Sequence, residues 1–170
     1  MCRSFFSLPL LVALLLLGGC KKDKVKPVDQ LPPATTTGAN TWGCLVNGEV
    51  WKGETASQMR ADWTTSDLLY ATMGRANWLS VIFPDTTHRA SQQPGIYPLV
   101  RGGNPGNYAR LTNMGRSYRP EDLIKGTAQI TRLDRQAGII SGTFSFIMSS
   151  TPGDTVRVTD GRFDISNMDR

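Results

Sequence analysis

Three thiols and one imidazole are all that these 170 residues offer for nucleophilic or soft-metal chemistry: Cys2, Cys20, Cys44 and His88. A cysteine nucleophile needs a base within hydrogen-bond reach. Cys44 instead sits in the strand-like run Trp42-Gly43-Cys44-Leu45-Val46, where a free thiol behaves as a small buried hydrophobe, and His88 lies in a polar stretch far along the chain. Ser141 has glycine neighbours in Gly138-Ile139-Ile140-Ser141-Gly142, but a nucleophile elbow requires a strand-to-helix turn. Arg101-Gly102-Gly103-Asn104-Pro105-Gly106-Asn107 lacks the Gly-Lys-Ser/Thr ending of a phosphate cradle and reads as a loop. Asp154, Asp160 and Asp164 have the oxygens that calcium takes, yet Gly153-Asp154 and Asp160-Gly161 are turn dipeptides. No catalytic residue, metal site or cofactor is expected.

Cys20 has a different chemistry in view. Arg3 precedes eight consecutive apolar residues, Leu10 to Leu17, and Gly18-Gly19 follow. This is the charged n-region, h-region and small-residue cut of an export signal, and it falls short of the roughly 18 apolar residues of a membrane span. Leu17-Gly18-Gly19-Cys20 resembles the lipobox of bacterial lipoproteins, with Leu17, Gly18 and Gly19 as the signal-peptidase recognition residues. The resemblance implies cleavage before Cys20 and acylation of its thiol and amine. Two or three acyl chains, at about 0.8 kcal/mol per buried CH₂, anchor stably where one does not. Residues 1–19 are then a signal peptide, and membrane lipid is the first expected partner.

Residues 20–40 read as a lipidated N-terminus and disordered tether, because Lys21-Lys22-Asp23-Lys24-Val25-Lys26 is charged and Pro27, Pro32, Pro33 and Thr35-Thr36-Thr37 follow without an aromatic residue. Extended, such a tether reaches about 60 Å, and as a coil roughly 25 Å, so the domain is expected to stand clear of the headgroups. Lys21 in place of an acidic residue after the cysteine favours the outer membrane, facing the periplasm or the cell surface.

The elements that remain, 41–170, read as one all-β domain, a single antiparallel β-sandwich or open β-barrel. Asn47-Gly48 between Trp42–Val46 and Glu49–Trp51 is a type I′ hairpin signal. Gln58–Trp63, Leu68–Met73 and Trp78–Phe83 continue as a meander, and 88–118 holds only short candidates at Ile96-Tyr97 and Tyr108–Leu111. Arg119–Ile124 suits one helical turn. Gly126–Leu133, Ile139–Met148, Thr155–Thr159 and Arg162–Ile165 read as four strands joined by three turns, the last at Asp160-Gly161. Ile140, Gly142, Phe144, Phe146 and Met148 share one face, and Ser141, Thr143 and Ser145 the other.

The signal, Trp42 to Trp51, Ile140-Ser141-Gly142-Thr143-Phe144-Ser145-Phe146, and Gly153-Asp154-Thr155-Val156 with Asp160-Gly161-Arg162-Phe163-Asp164 together resemble the small uncharacterised all-β lipoproteins of Bacteroidota-type bacteria. The resemblance implies a strand-built domain behind a lipid tether and carries no reaction.

Charge points to no nucleic acid: the chain is +5, but residues 41–170 hold 14 Lys and Arg against 12 Asp and Glu, scattered and unclustered. With Cys2 removed and Cys20 acylated, Cys44 has no disulfide partner in the chain. Of the four tryptophans, Trp51 and Trp63 lie at strand ends beside polar residues and are the candidates for an exposed ligand platform. The expectation is a non-enzymatic binding or interaction module of the envelope, its partner a glycan or an envelope protein. The alternatives are a glycan hydrolase using carboxylates such as Glu49, Glu54 or Asp62, and a structural envelope component.

Overall fold

The computed structural model describes residues 25–53, 59–61, 69–73, 77–83, 93–103 and 106–166. The signal with Leu17, Gly18, Gly19 and Cys20, the platform candidate Trp63, His88, and the carboxylates Glu54 and Asp62 lie outside the described residues.

Period-two alternation and turn chemistry make the described chain almost entirely strand. β1 (Thr41–Val46) and β2 (Glu49–Lys52) form the expected hairpin, with Asn47 and Gly48 both at positive φ, 51° and 85°, the backbone that a type I′ turn requires. Next come β3 (Met59–Arg60), β4 (Leu69–Met73), β5 (Asn77–Ile82), β6 (Gly95–Leu99), β7 (Tyr108–Asn113) and β8 (Arg116–Tyr118). A 3₁₀ turn at Pro120–Asp122 leads into the three long strands β9 (Leu123–Asp134), β10 (Ile139–Thr151) and β11 (Asp154–Ile165).

All pairings are antiparallel, in two open sheets ordered β2-β1-β11-β10-β9-β6 and β3-β4-β5-β7-β8. They pack face to face as a sandwich. From the larger sheet, Trp42, Cys44, Val46, Ile130, Ile140, Phe146, Met148, Val156 and Val158 enter the core, and Leu79, Val81, Ala109 and Leu111 meet them from the smaller one. Asp154 braces one end: it accepts from Ser150, at 2.7 Å, and from Tyr118 and Arg116 of the other sheet, both at 2.8 Å.

Three of the core phenylalanines lie over glycines of the neighbouring strand. Phe163 pairs with Gly142, Phe144 with Gly161, and Phe146 with Gly126. A Cβ on Gly142 would stand 2.1 Å from the Gln129 carbonyl oxygen and 2.7 Å from the Phe163 ring. The missing side chains leave room for the Phe163 and Phe144 rings against the neighbouring strand, and for Phe146 Cβ over Gly126.

The turn expected at Asp160-Gly161 is absent, and β11 runs straight through it. Between Gly161 and Val158 the strand spends three steps where β10 spends two, from Phe144 to Phe146, and β1 shows the same offset between Gly43 and Leu45. Asp160, at φ 54°, is the extra residue of a β-bulge. A bulge reverses the inward parity, and so Val156 and Val158 point inward at even numbers while Phe163 and Ile165 do so at odd ones. Three strands and two turns replace the expected four and three.

A second difference concerns the tether. From Pro27–Gln30, a 3₁₀ turn, the segment expected to be disordered runs onto the outer face of the larger sheet. Leu31 is buried, and a Cβ on Gly43 would meet Leu31 and Pro32. The folded body therefore begins well before residue 41.

Gly142→Ala is expected to lower unfolding stability by about 1–3 kcal/mol through overpacking, read as a lower urea midpoint with an unchanged slope. An unshifted midpoint would mean that the Gln129 backbone yields at no cost.

Candidate functional site

The register of the long strands arranges the outer face of the six-stranded sheet in rows, because residues directly opposite in an antiparallel pair point to the same side. The first row is Lys125, Ile147 and Arg157 across β9, β10 and β11. The second pairs Thr127 with Ser145, beside the Asp160 bulge. In the third, Gln129, Thr143 and Arg162 align, and Ile96 of β6 stands opposite Gln129. The fourth is Arg132, Ser141 and Asp164.

The fourth row is covered by the strap, residues 31–39. Asp164 is 1% exposed, and burial of an ionised carboxylate is costly unless its lone pairs are filled. Here six donors fill them. The Gly38 amide and the Ser141 hydroxyl donate to Oδ1, at 2.8 and 2.6 Å. The Thr35 hydroxyl, at 2.6 Å, the amides of Thr37 and Ala39, at 2.9 and 3.1 Å, and the Thr37 hydroxyl, at 3.4 Å, donate to Oδ2. Burial raises the carboxyl pKa, and the hydrogen bonds from Ser141, Thr35, Ala39 and Gly38 outweigh it, holding Asp164 well below the usual carboxylate range.

Two guanidinium groups hold the strap's carbonyls. Arg132 donates to Thr36 O, at 2.6 Å, while its other arm holds Asp134 at 2.9 Å. Arg162 donates to Pro32 O, at 3.3 Å. The strap ends in a reciprocal pair, with the Asn40 side chain donating to the Ser166 hydroxyl and accepting from the Ser166 amide. Gly38 takes φ 78°, and a Cβ there would come within 2.9 Å of Ser166.

Rows one to three stay open. They line two adjoining grooves, of about 430 and 300 Å³, which share Thr127 and Ser145. Lys125 and Arg157 are exposed, each opposite Ile147, so their backbones stand about 10 Å apart at two strand spacings. Among the described residues neither side chain has a hydrogen bond or an ion pair. Chemically this is a shallow field in which hydroxyls and one amide alternate with apolar carbon, with the two cations at one end and Ile96, 71% exposed, on its rim.

The residues singled out from sequence fall elsewhere. Trp51 is 3% exposed and belongs to the core: opposite Cys44, it shares that strand's inward face, so it is no ligand platform. Glu49 is exposed on the edge strand β2. Asp154, Asp160 and Asp164 serve a brace, a bulge and the strap, and among the described residues no three acid, thiol or imidazole groups converge on a metal position. The glycine-rich loop is held at its ends, where the Val100 amide donates to Asn107 O and Arg101 to Glu121 O. Cys44 is buried, and desolvation pushes its thiol up to about 12. The open rows were missed. Their trace in the sequence is the outward series Lys125, Thr127, Gln129 and Thr143, Ser145, Ile147, in which polar residues recur at every second position.

No protein-family model matches this chain, and neither a curated protein nor a solved structure does. Among the described residues no helix is long and apolar enough to cross a membrane.

Asp164→Asn is expected to cost about 2–4 kcal/mol, since the amide turns a donor toward backbone N–H groups and removes the charge they solvate. The sign with pH follows from a depressed folded pKa: the stabilisation is complete above the unfolded value of about 3.9 and is lost as pH falls below it toward the folded value. Acid titration of the melting temperature should show that loss in the parent and a flattened profile in Asp164→Asn. Cys44 should resist alkylation by iodoacetamide in mildly alkaline buffer until the chain is denatured, which mass analysis of its peptide would show.

Proposed function

We propose that this chain is a lipid-anchored protein of the bacterial envelope, cut before Cys20 and acylated there, whose sandwich is a non-catalytic binding module working through the open rows of its six-stranded sheet. The observation that carries the binding part is a shallow, accessible face of mixed polar and apolar groups with Lys125 and Arg157 at one end, neither of them hydrogen-bonded or ion-paired among the described residues. The signal of Arg3, the apolar run and Leu17-Gly18-Gly19-Cys20 supports the anchor, and Lys21 supports the outer membrane as its site.

The strap changes what such an anchor does. With the segment docked from Pro27 on, only seven residue steps separate the body from Cys20, a reach of about 25 Å at most. The domain would then ride close to the headgroups, entering from the β1–β2 side, where Lys52 donates to Gln30 O and Leu31 meets Gly43. A glycan or an envelope protein reaching this face is met near the bilayer.

Cells fed labelled palmitate should incorporate the label into the parent and not into Cys20→Ala, and the variant should leave the membrane fraction. An unlabelled parent, or a variant that still sediments with membranes, removes the anchor. Binding through the face is tested separately, by placing Ser145→Arg in its centre and measuring retention of envelope glycans and envelope proteins on the purified full-length chain in detergent. Equal retention by parent and variant removes the face.

A further inference from the structure

On the footing that the open rows are the binding surface, we propose that their ligand is an extended acidic peptide segment of a partner protein, laid beside the strap. The face already holds one peptide segment, which bends around Asp164 with Gly38 at φ 78°. Across the fourth row, with Arg162 from the third, it grips residues 31–39 by side chains acting on backbone: guanidinium groups on carbonyls, and a carboxylate, itself held by the Ser141 hydroxyl, on amides. The rows beside it offer other polar groups, with Thr127, Thr143, Ser145 and Gln129 supplying donors and acceptors at strand spacing along a groove that Ala34 of the strap borders.

Charge sets the ligand's sign. Next to the strap both cations are committed: Arg132 to Thr36 O and Asp134, and Arg162, at the edge of the third row, to Pro32 O and Asp160 O. Among the described residues Lys125 and Arg157 in the first row are not, and Asp160 is the one acid lining the two grooves. Between the two cations Ile147 presents an apolar surface, and Ile96 adds another at the rim. A segment with acids flanking a small or apolar residue satisfies this row, while its backbone meets the hydroxyls of the next two. A sugar chain fits less well, because no described aromatic ring is exposed at this face for a pyranose to stack on.

The test uses the purified full-length chain in detergent micelles and four probes: a fluorescent Glu-Thr repeat peptide, its Gln-Thr counterpart, polygalacturonate, and phosphatidylglycerol vesicles. The Glu-Thr peptide should bind, weaken with added salt as exposed charges are screened, and lose at least about tenfold in affinity in Lys125→Glu with Arg157→Glu, whose exposed positions leave the melting temperature unchanged. The Gln-Thr peptide should bind at least about tenfold more weakly. If the acidic peptide fails to bind, or binds the charge-reversed chain equally well, the inference is wrong. Tighter, Lys125- and Arg157-dependent binding of polygalacturonate or of the vesicles overturns the peptide assignment but leaves the face as a binding surface; silence from all four probes sinks both.

Discussion

Asp164 is the constraint on which the outer half of the structure depends. A carboxylate removed from water must have its lone pairs filled or be neutralised, and the sheet alone offers it a single donor, the Ser141 hydroxyl. The remaining five donors come from Thr35, Thr37, Gly38 and Ala39. Position 164 therefore has a satisfied charge only when the strap is in place, and the strap's backbone amides have partners only because the charge is there. Each half satisfies the other, and with the Arg132, Arg162 and Asn40 contacts and the burial of Leu31 this holds in place a proline- and threonine-rich segment with little apolar content.

The same strand that carries Asp164 also carries the bulge. Without the extra residue at Asp160, every side chain after it would exchange faces, since the pleat has a period of two: Phe163 and Ile165 would point to water and Asp164 into the core. The bulge thus places the carboxylate outside and the rings inside, over Gly142 in the case of Phe163. Strap, bulge and glycine-backed phenylalanines are consequences of one register.

What was legible in the sequence is what depends on local pattern. The Asn47-Gly48 hairpin, the inward face of Ile140 to Met148 and the antiparallel all-β class follow from turn chemistry and alternation, and all are present. Asp160-Gly161 failed because the dipeptide that makes a turn also makes a bulge; the change of parity between Val158 and Phe163 carried the distinction. Trp51 failed because a strand end beside polar residues says nothing of the second sheet that closes over it. The strap was illegible for a deeper reason. Its placement comes chiefly from polar partners far away in sequence, the buried charge some 125 residues on among them, and composition measures what a segment can bury, not what it can satisfy. The open rows were half legible: Thr143 and Ser145 were read as a wet face, but their alignment with Lys125, Thr127, Gln129 and Arg157 exists only through pairing.

Arg162 belongs to both halves of that face. Its guanidinium donates to Pro32 O in the strap, and its side chain lines the groove of the open rows. Any ligand that draws this group toward the groove weakens one of the strap's fastenings, and by reciprocity a loosened strap changes what the groove can offer. The contact at 3.3 Å is the longest of the guanidinium bonds to the strap and lies at its N-terminal end, the end from which the chain leads back toward Cys20. Asp164 and the Asn40–Ser166 pair secure the other end independently. At the N-terminal end Arg162 shares the hold with Lys52, which donates to Gln30 O, and with the burial of Leu31, while the buried carboxylate keeps the other end covered. The strap and the groove of the open rows in this way share one side chain.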